Sequence, residues 1–114
     1  MASNKIAYLE LPATDVAGLT KFYGELFDWT FQDYGPEYSA FTQAGLDGGI
    51  NGEAASRTKA PLAVIETTDI EALEAKIREA GGKISAPIFA YPGGRRFHFV
   101  DPAGNELAVM QSEK

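Results

Sequence analysis

The chain has no cysteine, which removes disulfides, thiolate zinc ligands and thiol nucleophiles together and suits a reducing cytoplasm, the location expected for it. Histidine is nearly as scarce, with one copy at His98. Long apolar runs are missing too. The opening "MASNKIAYLEL" has no basic segment leading into an apolar stretch, so neither a signal peptide nor a membrane span is expected. Positive charge is in deficit, with 10 Lys and Arg against 16 Asp and Glu, a formal net charge of −6 at pH 7. Such a chain repels a phosphate backbone, and its basic dipeptide Arg95-Arg96 is too small a footprint to bind one, so nucleic acid is excluded as a partner. There is no Gly-x-Gly-x-x-Gly, P-loop, Gly-x-Ser-x-Gly or His-Glu-x-x-His motif.

The 114 residues, 45% hydrophobic and 23% charged, have the composition of one globular domain that buries a core without staples. They also repeat. "IAYLELPATDVAGLTKFYGEL" set against "APLAVIETTDIEALEAKIREA" places Asp15 on Asp69 and the apolar series Val16, Leu19, Tyr23, Leu26 on Ile70, Leu73, Ile77, Ala80. That spacing is one stripe of an α-helix. Each copy opens with an aspartate suited to N-capping, and the second closes at Gly81-Gly82, where glycine tolerates a left-handed turn.

Short strands precede the helices, Ile6 to Leu11 and Leu62 to Thr67, and three more follow each. They are "WTFQDY", "YSAFTQ" and "LDGGIN" in the first copy, and "KISAPIF", "RRFHFV" and "NELAVM" in the second. The pattern predicts an α+β fold of two tandem βαβββ modules, at about residues 5–53 and 61–112, with a small polar linker at about 54–60. One module leaves a sheet face open to water. Two modules solve this by setting their mixed sheets edge to edge as a curved, half-barrel-like cleft suited to a small ligand.

Alternation along the strands assigns the faces. Ala7, Leu9 and Leu11 are expected under the first helix, leaving Ile6, Tyr8 and Glu10 on the other side; Leu62, Val64 and Glu66 correspond to that other side in the second copy. Phe97 and Phe99 are expected on the helix side, with Arg96, His98 and Val100 opposite and Glu106, Ala108 and Met110 beside them.

The repeated order, the segment "LPATDVAGLTKFYGELFDW" and the terminal "DPAGNELAVMQ" resemble the glyoxalase/bleomycin resistance/ring-cleaving dioxygenase superfamily, the vicinal oxygen chelate proteins. The resemblance covers nearly the whole chain. It implies a divalent metal held by His, Glu or Gln on the first and fourth strands of each module, and it carries those positions to Tyr8, Leu62, Gly49 and Ala108. None is a good ligand type. No metal and no cofactor are therefore expected. The resemblance also implies a homodimer, its modules paired within one chain or exchanged across the two-fold axis.

His98 falls ten residues before Ala108, where the resemblance places a cleft-facing polar side chain; it reads either as a hydrogen-bonded strand residue or as a ligand contact able to move a proton. Glu10 reads as an ion pair with Arg96, as exposed at the cleft mouth, or as a polar anchor or base beside Tyr8. Arg96 sits in "GGRR", read as a turn where arginines are solvated, though its planar fork would also suit an anion. Asp101 is expected to bond turn amides and Glu106 to be a solvated rim carboxylate. Trp29, Phe31 and Phe41 read as core or as aromatic walls. "DGGING" reads as strand and turn whose small residues leave the cleft roomy.

The expected function is the binding of a small organic molecule, without metal, through Tyr8, Glu10, Leu62, Val64, Arg96, His98, Ala108 and Met110. The alternative is an enzyme of the same superfamily: a metal-free acid/base catalyst working through His98 and Glu10, or a metal-dependent lyase, isomerase or dioxygenase.

Overall fold

The structure, a computed structural model, describes residues 4–113. Among these, two helices and eight strands make an α+β protein, as the sequence pattern predicts. The order is β1 (Lys5–Pro12), α1 (Val16–Phe27), β2 (Thr30–Asp33), β3 (Tyr38–Thr42) and β4 (Gly48–Asn51). It continues as β5 (Leu62–Glu66), α2 (Ile70–Glu79), β6 (Lys83–Tyr91), β7 (Gly94–Val100) and β8 (Glu106–Ser112). Two compact units are distinguished: residues 8–62, and residues 63–113 together with 4–7.

In the first unit the strands run in the order β2-β3-β4-β1, with β1 and β4 parallel and the other pairs antiparallel. Asp15 caps α1 by accepting a hydrogen bond from the Gly18 amide at 2.9 Å. The helix packs Val16 and Leu19 onto Leu11, Phe41 and Ile50, and Trp29 and Phe31 join this core, so the three aromatic wall candidates are interior residues. One expectation fails here. Leu26, the last member of the α1 stripe, is 57% exposed. Tyr23, Phe27 and Trp29 stack at this end of the helix instead, with ring centroids 5.0–6.0 Å apart, and α1 stops at Asp28, a non-glycine residue at φ 60°.

In the second unit the order is β5-β8-β7-β6, with β5 and β8 parallel. Asp69 caps α2 through the Ala72 amide, and Gly81 supplies the expected left-handed exit at φ +99°. Ile70, Phe97 and Val109 are fully buried, with Ile65, Leu73, Ile77, Ile84, Ile88 and Phe99 packed around them. Ala80 is the C-cap and is exposed, so the second stripe also ends one residue early.

Candidate functional site

Strand alternation turns Arg96, His98 and Val100 of β7 away from the core of the second unit, since Phe97 and Phe99 face α2. The ladder registers Arg96 with Met110 and with Phe89, and His98 with Ala108. Val64 pairs with Ala108 in turn. Val64, Ala108, Met110, Arg96 and His98 therefore share one face, as expected. Leu62, two residues before Val64 on β5, falls on the same face of that strand, and both are buried.

Two sequence expectations on this face are overturned. Arg96 is a strand residue, not a solvated turn arginine: its guanidinium lies 5.8 Å from the centre of the Phe89 ring and 6.0 Å from that of Tyr91, within reach of a cation–π contact with both. Its neighbour Arg95 forks onto Glu71 of α2, which holds the Glu71 carboxyl below its usual range. Glu106 is no idle rim carboxylate either, since its Oε2 lies 3.1 Å from His98 Nδ1 and accepts from the Ser85 hydroxyl at 3.3 Å. His98 is 6% exposed and also leans on the Phe89 ring, centroids 6.0 Å apart. Asp101 behaves as expected: it accepts from the amides of Ala103 and Asn105 and from the Asn105 side chain, which together hold its carboxyl below the usual range.

The first unit carries a second polar group on its helix-free face. Tyr8 Oη lies 2.5 Å from Tyr38 Oη, and Tyr38 donates to Glu10 Oε2 at 3.3 Å. Glu10 is 4% exposed. Burial first, then the hydrogen bond with Tyr8 and the Glu10 charge, push the Tyr38 hydroxyl well above the usual tyrosine range, so it stays protonated. The Gly48-Gly49 pair explains how these groups fit. A Cβ at Gly49 would lie 2.1 Å from Tyr38 Oη and 2.6 Å from Tyr8 Oη, and one at Gly48 would strike the Leu9 carbonyl and the Phe41 ring on the other face. The small residues of "DGGING" do not leave open room beside β4. They admit tyrosine oxygens on one side and an aromatic ring on the other.

Tyr38 was missed by sequence reasoning. The signal that reveals it is alternation along β3, which puts Tyr38 and Ala40 on one face while Ala40 registers with Gly49 and Gly49 with Glu10.

A chelated metal would take its ligands from the four positions that the resemblance supplies. The register bears out their equivalence, since Gly49 pairs with Glu10 of β1 as Ala108 pairs with Val64 of β5. The residues do not fit an ion. Leu62 and Ala108 are fully buried hydrocarbon, Gly49 has no side chain, and the Tyr8 hydroxyl is engaged by Tyr38. Among the described residues no three His, Asp or Glu side chains gather as a metal-binding group.

Comparison with known proteins gives the family. A model of the Glyoxalase/Bleomycin resistance protein/Dioxygenase superfamily matches residues 5–109. The protein called "Putative glyoxylase CFP32" in Mycobacterium tuberculosis is 27% identical over 126 residues, covering 94% of this chain and 45% of its own, so the chain spans about half the length of that relative. Among solved structures, a superfamily member from Vibrio splendidus 12B01 aligns with a TM-score of 0.71 and 19% identity over 93% of this chain and 97% of its own. An NAD-dependent benzaldehyde dehydrogenase from Legionella pneumophila aligns with a TM-score of 0.77 and 16% identity over 93% and 98%. At these identities the structural likeness establishes the fold. No described helix is long and apolar enough to cross a membrane.

Proposed function

Because the chain belongs to the glyoxalase/bleomycin resistance protein/dioxygenase superfamily, we propose that it binds a small organic molecule on its helix-free sheet faces, without a divalent ion at the positions where the superfamily chelates one. The observation that carries this reading is the content of those positions. Two are sealed hydrocarbon, one is bare backbone, and the fourth is a hydroxyl already bonded to Tyr38. Tyr8 and Glu10 in one unit and His98 and Arg96 in the other supply polar contacts, and Leu62, Val64, Ala108 and Met110 supply apolar ones. Association of two copies belongs to the same reading and is measured by sedimentation velocity.

The test is a ligand-observed NMR screen of small organic molecules on the purified chain, with elemental analysis of the same sample. Binding is expected to survive EDTA and to move resonances of Tyr8 or His98. A stoichiometric divalent cation whose removal abolishes all binding overturns the reading.

One contact favours a second reading, metal-free acid/base catalysis. A histidine whose Nδ1 is held by a carboxylate has its other ring nitrogen set for proton transfer, which is the arrangement of His98 and Glu106. Turnover of a bound ligand that is lost in His98→Gln, with binding kept, supports catalysis; binding without product in the native protein rejects it.

A further inference from the structure

The two copies of the internal repeat fold alike but present different outer helix faces. Gly18, Lys21, Phe22, Glu25 and Leu26 of α1 are exposed, and so are Ala72, Ala75, Lys76, Glu79 and Ala80 at the matching positions of the second copy. Phe22 stands where α2 has Lys76, and Leu26 where the second copy has Ala80. Both are more than half exposed, so the core does not need them, and the second copy shows the same element built without them. Phe27, also more than half exposed, widens the patch through Tyr23, whose ring lies 5.2 Å from that of Phe22 and 6.0 Å from that of Phe27. Together Phe22, Leu26 and Phe27 expose roughly 300 Å² of apolar surface, the size of patch that marks a contact with another molecule.

Charge selects the occupant. The chain carries a net charge of −6, so two copies repel over most of their surface. Along the outer face of α1 the charges balance, because Lys21 and Glu25 are exposed one turn apart and lie 3.8 Å from each other. This face is also its own complement. A two-fold axis that sets α1 antiparallel against α1 brings the Lys21–Glu25 flank onto the same flank of the other copy with its direction reversed, so Lys21 of each meets Glu25 of the other. The Phe22–Leu26 flank meets itself in the same way. Gly18, one turn before Phe22 on the same row, has no side chain and leaves a notch level with Leu26 of the other copy.

We propose that the outer face of α1 is a self-association surface, α1 packing antiparallel on α1 of a second copy across a two-fold axis. About 600 Å² of apolar surface is covered in all, which puts the pair in the weak, transient class, with a dissociation constant on the order of 100 µM. In dilute solution the copies are apart and Leu26 stands exposed. This rests on the association included in the binding reading above and adds its surface; the helix-free face of the first unit stays open.

The experiment is sedimentation velocity of the full chain in low salt, from about 10 to about 500 µM, where reversible dimerisation is expected. Phe22→Lys together with Leu26→Ala gives α1 the residues found at the matching positions of the second copy. The changes fall on an exposed surface, so the amide spectrum is expected to stay that of a folded chain while association weakens at least about tenfold. Lys21→Glu and Glu25→Lys are each expected to weaken association about threefold, whereas their equimolar mixture recovers it, since each supplies the charge that the other lacks. A native chain that stays monomeric at the highest concentration overturns the proposal, and its co-sedimentation with phosphatidylcholine vesicles would then assign the face to lipid. The proposal is also overturned if the folded double variant dimerises as tightly as the native chain, which places the association elsewhere, or if the mixture associates no more tightly than its components. The ligand screen with EDTA judges the binding reading separately, because it is run in dilute solution where the copies are apart.

Discussion

His98 Nδ1 and Glu106 Oε2 meet 3.1 Å apart on the diagonal of the β7–β8 ladder, where His98 registers with Ala108 and Glu106 with Val100. A carboxylate has no proton to give, so in the neutral ring the proton sits on Nδ1 and Nε2 is the basic nitrogen. Nitrogen-15 NMR of the histidine ring is expected to show this tautomer in the native protein. Glu106→Ala should shift the balance toward the Nε2–H form that a solvated histidine side chain favours. An unchanged ring spectrum in the variant would mean that Glu106 does not set the tautomer.

Gly49→Ala places a methyl group where two tyrosine oxygens lie, at 2.1 and 2.6 Å. Both tyrosines must then move, and Tyr38 must leave Glu10 or the backbone must shift. Overpacking of this kind costs about 1–3 kcal/mol, read from the urea midpoint. Tyr38→Phe removes the nearest oxygen, so the double variant should lose less than the sum of the two single losses. Strict additivity would mean that the methyl group is accommodated without touching Tyr38.

Much of this architecture was legible because it is local. Asp15 and Asp69 cap their helices, Gly81 turns left-handed, and Asp101 collects the amides of its turn; each needs only residues within a few positions. Face alternation worked for β5, β7 and β8 because Phe97 and Phe99 declare which side is apolar. What sequence reasoning missed is decided at long range. Tyr38 reaches Tyr8 across thirty positions of chain, and strand propensity says nothing about where a hydroxyl ends. Phe89 comes opposite Arg96 on a strand whose pairing shifts register twice, so no simple alternation assigns it. Glu106 looked solvated from its place at a strand start, yet its diagonal partner is a buried histidine.

Asp101 predicts an acid-sensitive contribution to stability. Its folded-state pKa lies below the ordinary aspartate range, chiefly through the Asn105 side chain and amide. A depressed carboxylate stabilises the fold above its unfolded pKa, and that contribution fades as pH falls through the folded value. The native protein should therefore exceed Asp101→Ala in urea resistance at pH 7, with the gap narrowing below about pH 4. A gap independent of pH would assign the role of Asp101 to turn geometry alone.

The aligned stripes of the two helices separate sequence pattern from packing. Ile70 and Leu26 are both apolar members of a helical repeat, but Ile70 is fully buried against Phe97 and Val109 while Leu26 is 57% exposed. Truncating Ile70 to Ala removes buried methyl groups and leaves a cavity, which costs about 2–5 kcal/mol. Truncating Leu26 to Ala sacrifices little buried area and slightly favours the helix, so its effect should stay within about 0.5 kcal/mol. Denaturant midpoints for the two variants decide the matter. Equal losses would require that Leu26 be covered in solution, as it would be if a second copy of the chain packed on the outer face of α1.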